Sequence, residues 1–161
     1  TMSNRVTLAQ LDQMPIGEIA NLPVAQLAML LEDVAELKAR AKRLGDWIDG
    51  ALNLRYGEAA AQLRRADGKD TGRVRIEDED FVVVADLPKK VTWSQPELRE
   101  AVQVIAGWGE DVADYVQTEI KVSEAKFEAW PKSIKALFEP ARTMGVGKPS
   151  FAIEARKREA A

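Results

Sequence analysis

The side chains in this sequence that could do chemistry fall into three groups, and each group suggests a different kind of work. Cations recur at Lys38, Arg40, Lys42, Arg43, Arg55, Arg64 and Arg65, and again at Arg73, Arg75, Lys89 and Lys90. Flexible positive heads on a groove wall contact phosphates without any sequence motif, so this set suits a nucleic-acid backbone. Carboxylates run together at Glu77, Asp78, Glu79 and Asp80, with Glu110, Asp111 and Asp114 further on. Their spacing lacks the fixed positions of a calcium loop, so no metal is expected there. The run reads either as a solvated turn or as a negative patch offered to a basic protein partner. Aromatic rings form the third group: Trp47, Trp93, Trp108 and Trp130, with Phe81, Phe127, Phe138 and Phe151. Exposed rings beside cations stack on single-stranded bases, as Trp93 could after Lys89 and Lys90. Phe127 and Trp130 stand three apart and share one helical face, which suits a core instead.

Two missing residue types narrow the chemistry further. The chain holds neither Cys nor His, which removes thiolate nucleophiles, disulfides, Cys-based metal sites and the commonest general base. An enzyme would have to run on carboxylates, Lys or Tyr, and no carboxylate pair has a recognisable orienting partner. Gly145-Val146-Gly147-Lys148 lacks the spacing of a phosphate loop and the hydroxyl that should follow its lysine, so it reads as a turn. The expectation is a binding protein with no catalytic residues and no cofactor.

The elements that must position these groups begin with one long helix. From Val24 to Ala66, apolar residues fall at Leu27, Leu30, Val34, Leu37, Ala41, Leu44 and Ile48 in alternating steps of three and four. That spacing is the seam of a helix packed along a partner helix. Past Ile48 the stripe continues through Leu52, Tyr56, Ala59 and Leu63, where steps of four locally relax a supercoil. Such a seam is too long for the short segments that follow it, and a second copy offers the simplest cover, since a two-fold dimer needs only one self-complementary surface. Leu30, Val34, Leu37, Leu44 and Ile48 are therefore the expected dimerisation residues.

Before that helix, Pro15, Gly17 and Pro23 break a short apolar strap over residues 1–23, with Thr7 placed to cap a helix over Leu8–Met14 and Asn21 to cap the long one. After it, Asp67-Gly68 supplies a stop, and Arg73-Val74-Arg75-Ile76 alternates with period two before the acidic turn and the run Phe81–Leu87. Residues 72–87 thus predict a β-hairpin, which Lys89–Trp93 could extend. Ser94 with Glu97 predicts a capping box opening a helix whose Leu98, Val102 and Ile105 share a face. A short helical turn at Asp111–Val116, a strand at Thr118–Val122, a helix opened by Ser123, another over Lys132–Phe138 and a closing strand in 147–154 complete the reading. The fold class is α+β: a strap over 1–23, a dimerisation helix over 24–66 and a small α+β domain over 67–161.

Charge is distributed in blocks along this layout. Residues 38–75 carry ten basic against five acidic side chains, and residues 76–119 carry three against eleven, within a net charge of -3. Blocks of one sign describe faces and partners more than fold. No apolar run is long enough to span a bilayer, and the first residues lack the basic start and apolar core of a secretory signal, so no membrane contact and a cytoplasmic location are expected.

The order of these elements resembles the phage Gam family of host-nuclease inhibitors. The pieces that carry the resemblance are the long helix ending RRADGKDTG, the hairpin GRVRIEDEDFVVVADLPKKVTW, the helix after Ser94, the segment YVQTEIKVSEAKFEAWPKSI and the closing GKPSFAIE. The resemblance implies a phage protein acting in the host-cell cytoplasm, a homodimer that holds duplex DNA and shields it from a defence nuclease. On this chain the phosphate contacts would come from Arg73, Arg75, Lys89, Lys90, Arg64 and Arg65. An alternative stays open, in which Glu77, Asp78, Glu79 and Asp80 bind a host defence protein, such as an RNA-guided complex, in place of its nucleic acid.

Overall fold

A computed structural model describes residues 4–158. The chain is α+β and divides into two compact units, residues 4–89 together with 150–158, and residues 90–149. The division falls after the hairpin, not before it at residue 67, because the hairpin packs on the long helix and belongs to its unit.

The first unit is built on helix α3, Val24–Ala66, preceded by the short helices α1, Leu8–Leu11, and α2, Ile16–Ala20. No proline interrupts the 43 residues of α3, which at about 1.5 Å per residue run about 64 Å. Its C-terminus closes where the sequence places the stop. Gly68 adopts a left-handed φ of 68°, its N–H donates to Arg65 O at 3.0 Å and Lys69 N–H donates to Arg64 O at 2.9 Å. Those two bonds satisfy carbonyls that the helix end would otherwise leave free.

At the other end, Thr7 and Gln10 form a reciprocal cap on α1, which ends at Leu11 and not at Met14. Asn21 does not cap α3. It closes α2, its side-chain amide donating to Gly17 O at 3.0 Å, and Pro23 takes the position before α3. The strap is tied down by Gln26, whose side chain accepts from Val6 N–H at 3.0 Å and donates to Asn4 O at 2.7 Å, and by the Arg5–Asp33 ion pair. It covers only the first turns of the seam: Leu30 is 4% exposed, whereas every residue from Ala35 to Arg55 is exposed.

That bare stretch contains Gly45 and Gly50, each about 1 kcal/mol less favourable in a helix than alanine. A Cβ added at Gly50 would meet nothing within 4 Å. Gly50→Ala is therefore expected to stabilise the protein by about 0.5–1 kcal/mol; an unchanged or lowered midpoint in thermal unfolding would contradict a solvent-facing helical position there.

Strands β1, Gly72–Asp78, and β2, Phe81–Leu87, pair antiparallel from Gly72 opposite Leu87 to Asp78 opposite Phe81. Val74 is buried and Ile76, Val83 and Ala85 are half-buried on the side facing α3, as period-two alternation requires. The expected extension over Lys89–Trp93 does not form, since β1 runs out at Gly72 opposite Leu87 and Pro88 has no N–H to give. The closing strand expected in 147–154 is also absent. Pro149 removes one donor, and among the described residues the only sheet is the β1–β2 pair, so no further strand pairs with that segment.

In the second unit, helix α4, Gln95–Gly107, half-buries Leu98, Val102 and Ile105. Ser94 stands at its N-cap, but its hydroxyl makes no capping bond, so the expected box is not closed. Gly109, with φ 84°, ends the helix through Glu110 N–H to Ile105 O at 3.2 Å. A 3₁₀ turn at Val112–Asp114 follows. Thr118–Val122 forms no strand, because this unit offers no second strand for it to pair with among the described residues. Helices α5, Glu124–Phe127, and α6, Lys132–Phe138, bring Trp130 edge-on to Phe127 at 5.4 Å and to Phe138 at 5.0 Å. Arg142 clasps Glu124 and holds its carboxyl below the usual carboxylate range through that hydrogen bond. Buried Phe127 and half-buried Trp130 are the core use of the aromatic set, with Phe138 38% exposed at their edge, while Trp47, Trp93 and Trp108 stay exposed.

Candidate functional site

Docking of the hairpin on α3 sorts the candidate residues. Arg64 lies one residue from Arg65 but about 100° around the helix from it, and the two have different fates. Arg64 is 8% exposed, with Nε donating to Gly72 O at 2.9 Å and Nη2 donating to Ala85 O at 3.1 Å. It clamps both strands to the helix, so it is not available to phosphate. Arg65 is exposed and pairs with Glu58 at 3.1 Å.

The far end of the hairpin is fastened by Asp78. Its Oδ2 accepts from the Tyr56 hydroxyl at 2.5 Å and from Arg55 Nη2 at 3.0 Å. The bond to a carboxylate raises the Tyr56 pKa above its ordinary value, since losing the proton would set two anions together. Tyr56 thus belongs to the hairpin contact and not to the seam, where its spacing had placed it. Asp78 likewise leaves the acidic patch, while Glu77, Glu79 and Asp80 remain exposed at the turn. Glu79 holds a left-handed φ of 52°, a conformation that favours glycine.

On the outer face, Arg73 and Arg75 stand together on β1 as alternation requires. They share that face with Glu77, Asp86, Val82 and Val84, and Arg73 pairs with Asp86 at 3.5 Å. Two cations against two carboxylates leave the face balanced. Arg75 and Lys89 make no ion pair among the described residues. Lys89 ends the first unit and Lys90 opens the second, both exposed.

The seam residues also divide. Leu30 is buried by the strap and Val34 is half-buried, while Leu37, Leu44 and Ile48 are 53%, 45% and 62% exposed. The hairpin contacts α3 through Tyr56, Ala60 and Arg64, roughly 120° around the helix from that stripe at about 100° per residue, and so leaves it open. Of the cations on this stretch, Lys42 pairs with Asp46 at 2.7 Å, whereas Lys38, Arg40 and Arg43 have no acidic partner among the described residues.

Sequence reasoning missed the Arg64 clamp and the Tyr56–Asp78 tether. Their signal lay in position, a polar side chain on the helix face that a following hairpin must cover, and it could be read only once that face was known. Among the described residues no cluster of acidic side chains is arranged to hold a metal ion, and no helix is long and apolar enough to cross a membrane. Comparison with family models, curated proteins and solved structures gave no match.

Proposed function

We propose that this is a non-catalytic phage inhibitor of a host defence nuclease, which dimerises through α3 and shields duplex DNA. The observation that carries the reading is the bare middle of α3, an apolar stripe from Leu37 to Ile48 flanked by Lys38 and Arg40, with Arg43 further round the helix, none of the three paired with an acidic side chain among the described residues. Apolar surface of that length calls for a partner, and free cations beside it supply the sequence-independent attraction that duplex binding needs. The resemblance to the Gam family supports the same reading, and the absence of His and Cys supports a role without catalysis. At the hairpin, the phosphate contacts fall to Arg75 and Lys89, with Arg73 joining them by leaving Asp86.

A specific observation favours a second reading, in which the target is a host protein. The outer hairpin face is charge-balanced and carries half-exposed Val82 and Val84, with Phe81 74% exposed beside the acidic turn. Apolar residues rimmed by carboxylates suit a protein surface better than a phosphate backbone.

Duplex affinity at two salt concentrations separates the readings. Under DNA shielding, Arg75→Ala with Lys89→Ala weakens all sequences about equally and shallows the salt slope by about one per lost contact. Under the protein-directed reading, reversing Glu77, Glu79 and Asp80 to lysine releases the partner and leaves the effect of the two cations small. A wild type with no duplex affinity even at low salt removes the DNA reading.

A further inference from the structure

The bare seam also carries information about how two copies meet. Read as heptads, its first core positions are Leu27, Val34, Ala41 and Ile48, and its second are Leu30, Leu37 and Leu44. The branched residues Val34 and Ile48 fall only in the first set, and the second set is leucine throughout. That segregation favours two strands when like positions meet like, as they do in a parallel pair. In an antiparallel pair each layer mixes the two sets, and segregation brings no advantage.

The flanking residues agree. In a parallel pair the residue before a first core position faces the residue five further along in its partner. Asp33, which also pairs with Arg5 of the strap, then faces Lys38, Arg40 faces Gly45, and Trp47 faces Leu52, giving one attraction, one contact relieved of crowding and one apolar cover. No like charges meet. Lys38 has no acidic partner within its own chain among the described residues, and Trp47 and Leu52 are both exposed in the single chain. The hairpin sits on another side of α3 from Leu37, Leu44 and Ile48, with Leu52 at the edge of the cleft beneath it, while the strap already covers Leu30, so the paired seam starts near Val34.

Resting on the dimer proposed above, we infer that the occupant of the bare seam is a second copy of this chain, parallel and in register. Both hairpins then stand at the same end of the paired helices. Arg75 and Lys89 of one copy act together with those of its partner, so the charged site is complete only in the dimer.

The chain has no native cysteine, which makes cross-linking unambiguous. Leu37→Cys, Leu44→Cys and the outward-facing Ala39→Cys are made separately in the full chain and checked for helical content. Each is then treated with diamide and, in parallel, with a short bismaleimide. In register, both seam variants link to their own copies on the order of a hundredfold faster than Ala39→Cys, as expected for thiols held at millimolar effective concentration. If light scattering gives a dimer but only one seam variant links, or neither does, the parallel register is wrong while the dimer stands. If light scattering gives a monomer and nothing links, both fall.

Discussion

Replacing Arg64 by alanine is expected to release the hairpin from α3 and to cost about 3 kcal/mol. The guanidinium donates to Gly72 O at 2.9 Å and to Ala85 O at 3.1 Å, and a hydrogen bond to a charged group contributes roughly 1.5–3 kcal/mol. Truncation removes both bonds and leaves the half-buried Gly72 and Ala85 carbonyls without their side-chain donor, one of the few routes to a large single-site loss. Lysine, with one compact ammonium, cannot span both strands, so Arg64→Lys should recover only part of the loss. The contrast is Arg73→Ala: its partner Asp86 lies at 3.5 Å and both side chains are about half or more exposed, a kind of pair that contributes about 0–1 kcal/mol. Urea unfolding, with hydrogen exchange at the β1 and β2 amides, measures both. If Arg64→Ala falls within about 0.5 kcal/mol of wild type, as ordinary surface changes do, the clamp does not hold the hairpin.

The same residue marks the limit of what could be read from the chain alone. Helix α3 has the bounds that its apolar spacing and the Asp67-Gly68 stop predict, and the hairpin spans the residues 72–87 that Arg73–Ile76 and Phe81–Leu87 imply. Both signals are local, carried by periodicity and turn chemistry, although Glu77 and Asp78, read as part of the acidic turn, lie in β1 opposite Val82 and Phe81. Arg64 beside Arg65 gives no such signal, because the face on which the hairpin settles depends on contacts between residues far apart in sequence. Thr118–Val122 and the closing segment in 147–154 have β-type composition but no strand, since a strand exists only where another backbone offers it a ladder. Tyr56 fits the seam by spacing, yet its hydroxyl reaches Asp78, and a polar tip on an apolar ring allows either use.

The largest expected effect lies in the seam. On the dimer proposed above, Leu37→Asp combined with Leu44→Asp should convert dimers to monomers and unwind the middle of α3. Burying a carboxylate without a partner costs several kcal/mol, and two per chain, at about 1.4 kcal/mol per factor of ten, should raise the dissociation constant by on the order of 10⁴ or more. Helicity is coupled to that loss. From Ala35 to Arg55 every residue stays exposed, even Arg55, which bonds Asp78 of the hairpin. It carries two interior glycines that disfavour it by about 2 kcal/mol relative to alanine, and segments of this kind draw most of their stability from packing an apolar face. Circular dichroism of the wild type should therefore weaken on dilution as the dimer dissociates. The double variant should show the weaker signal at every concentration, with the hairpin amides still protected by the Arg64 clamp. Light scattering that finds the wild type monomeric at tens of micromolar, with its helical signal intact and independent of concentration, would remove both the dimer and the physical account of why this helix stands exposed.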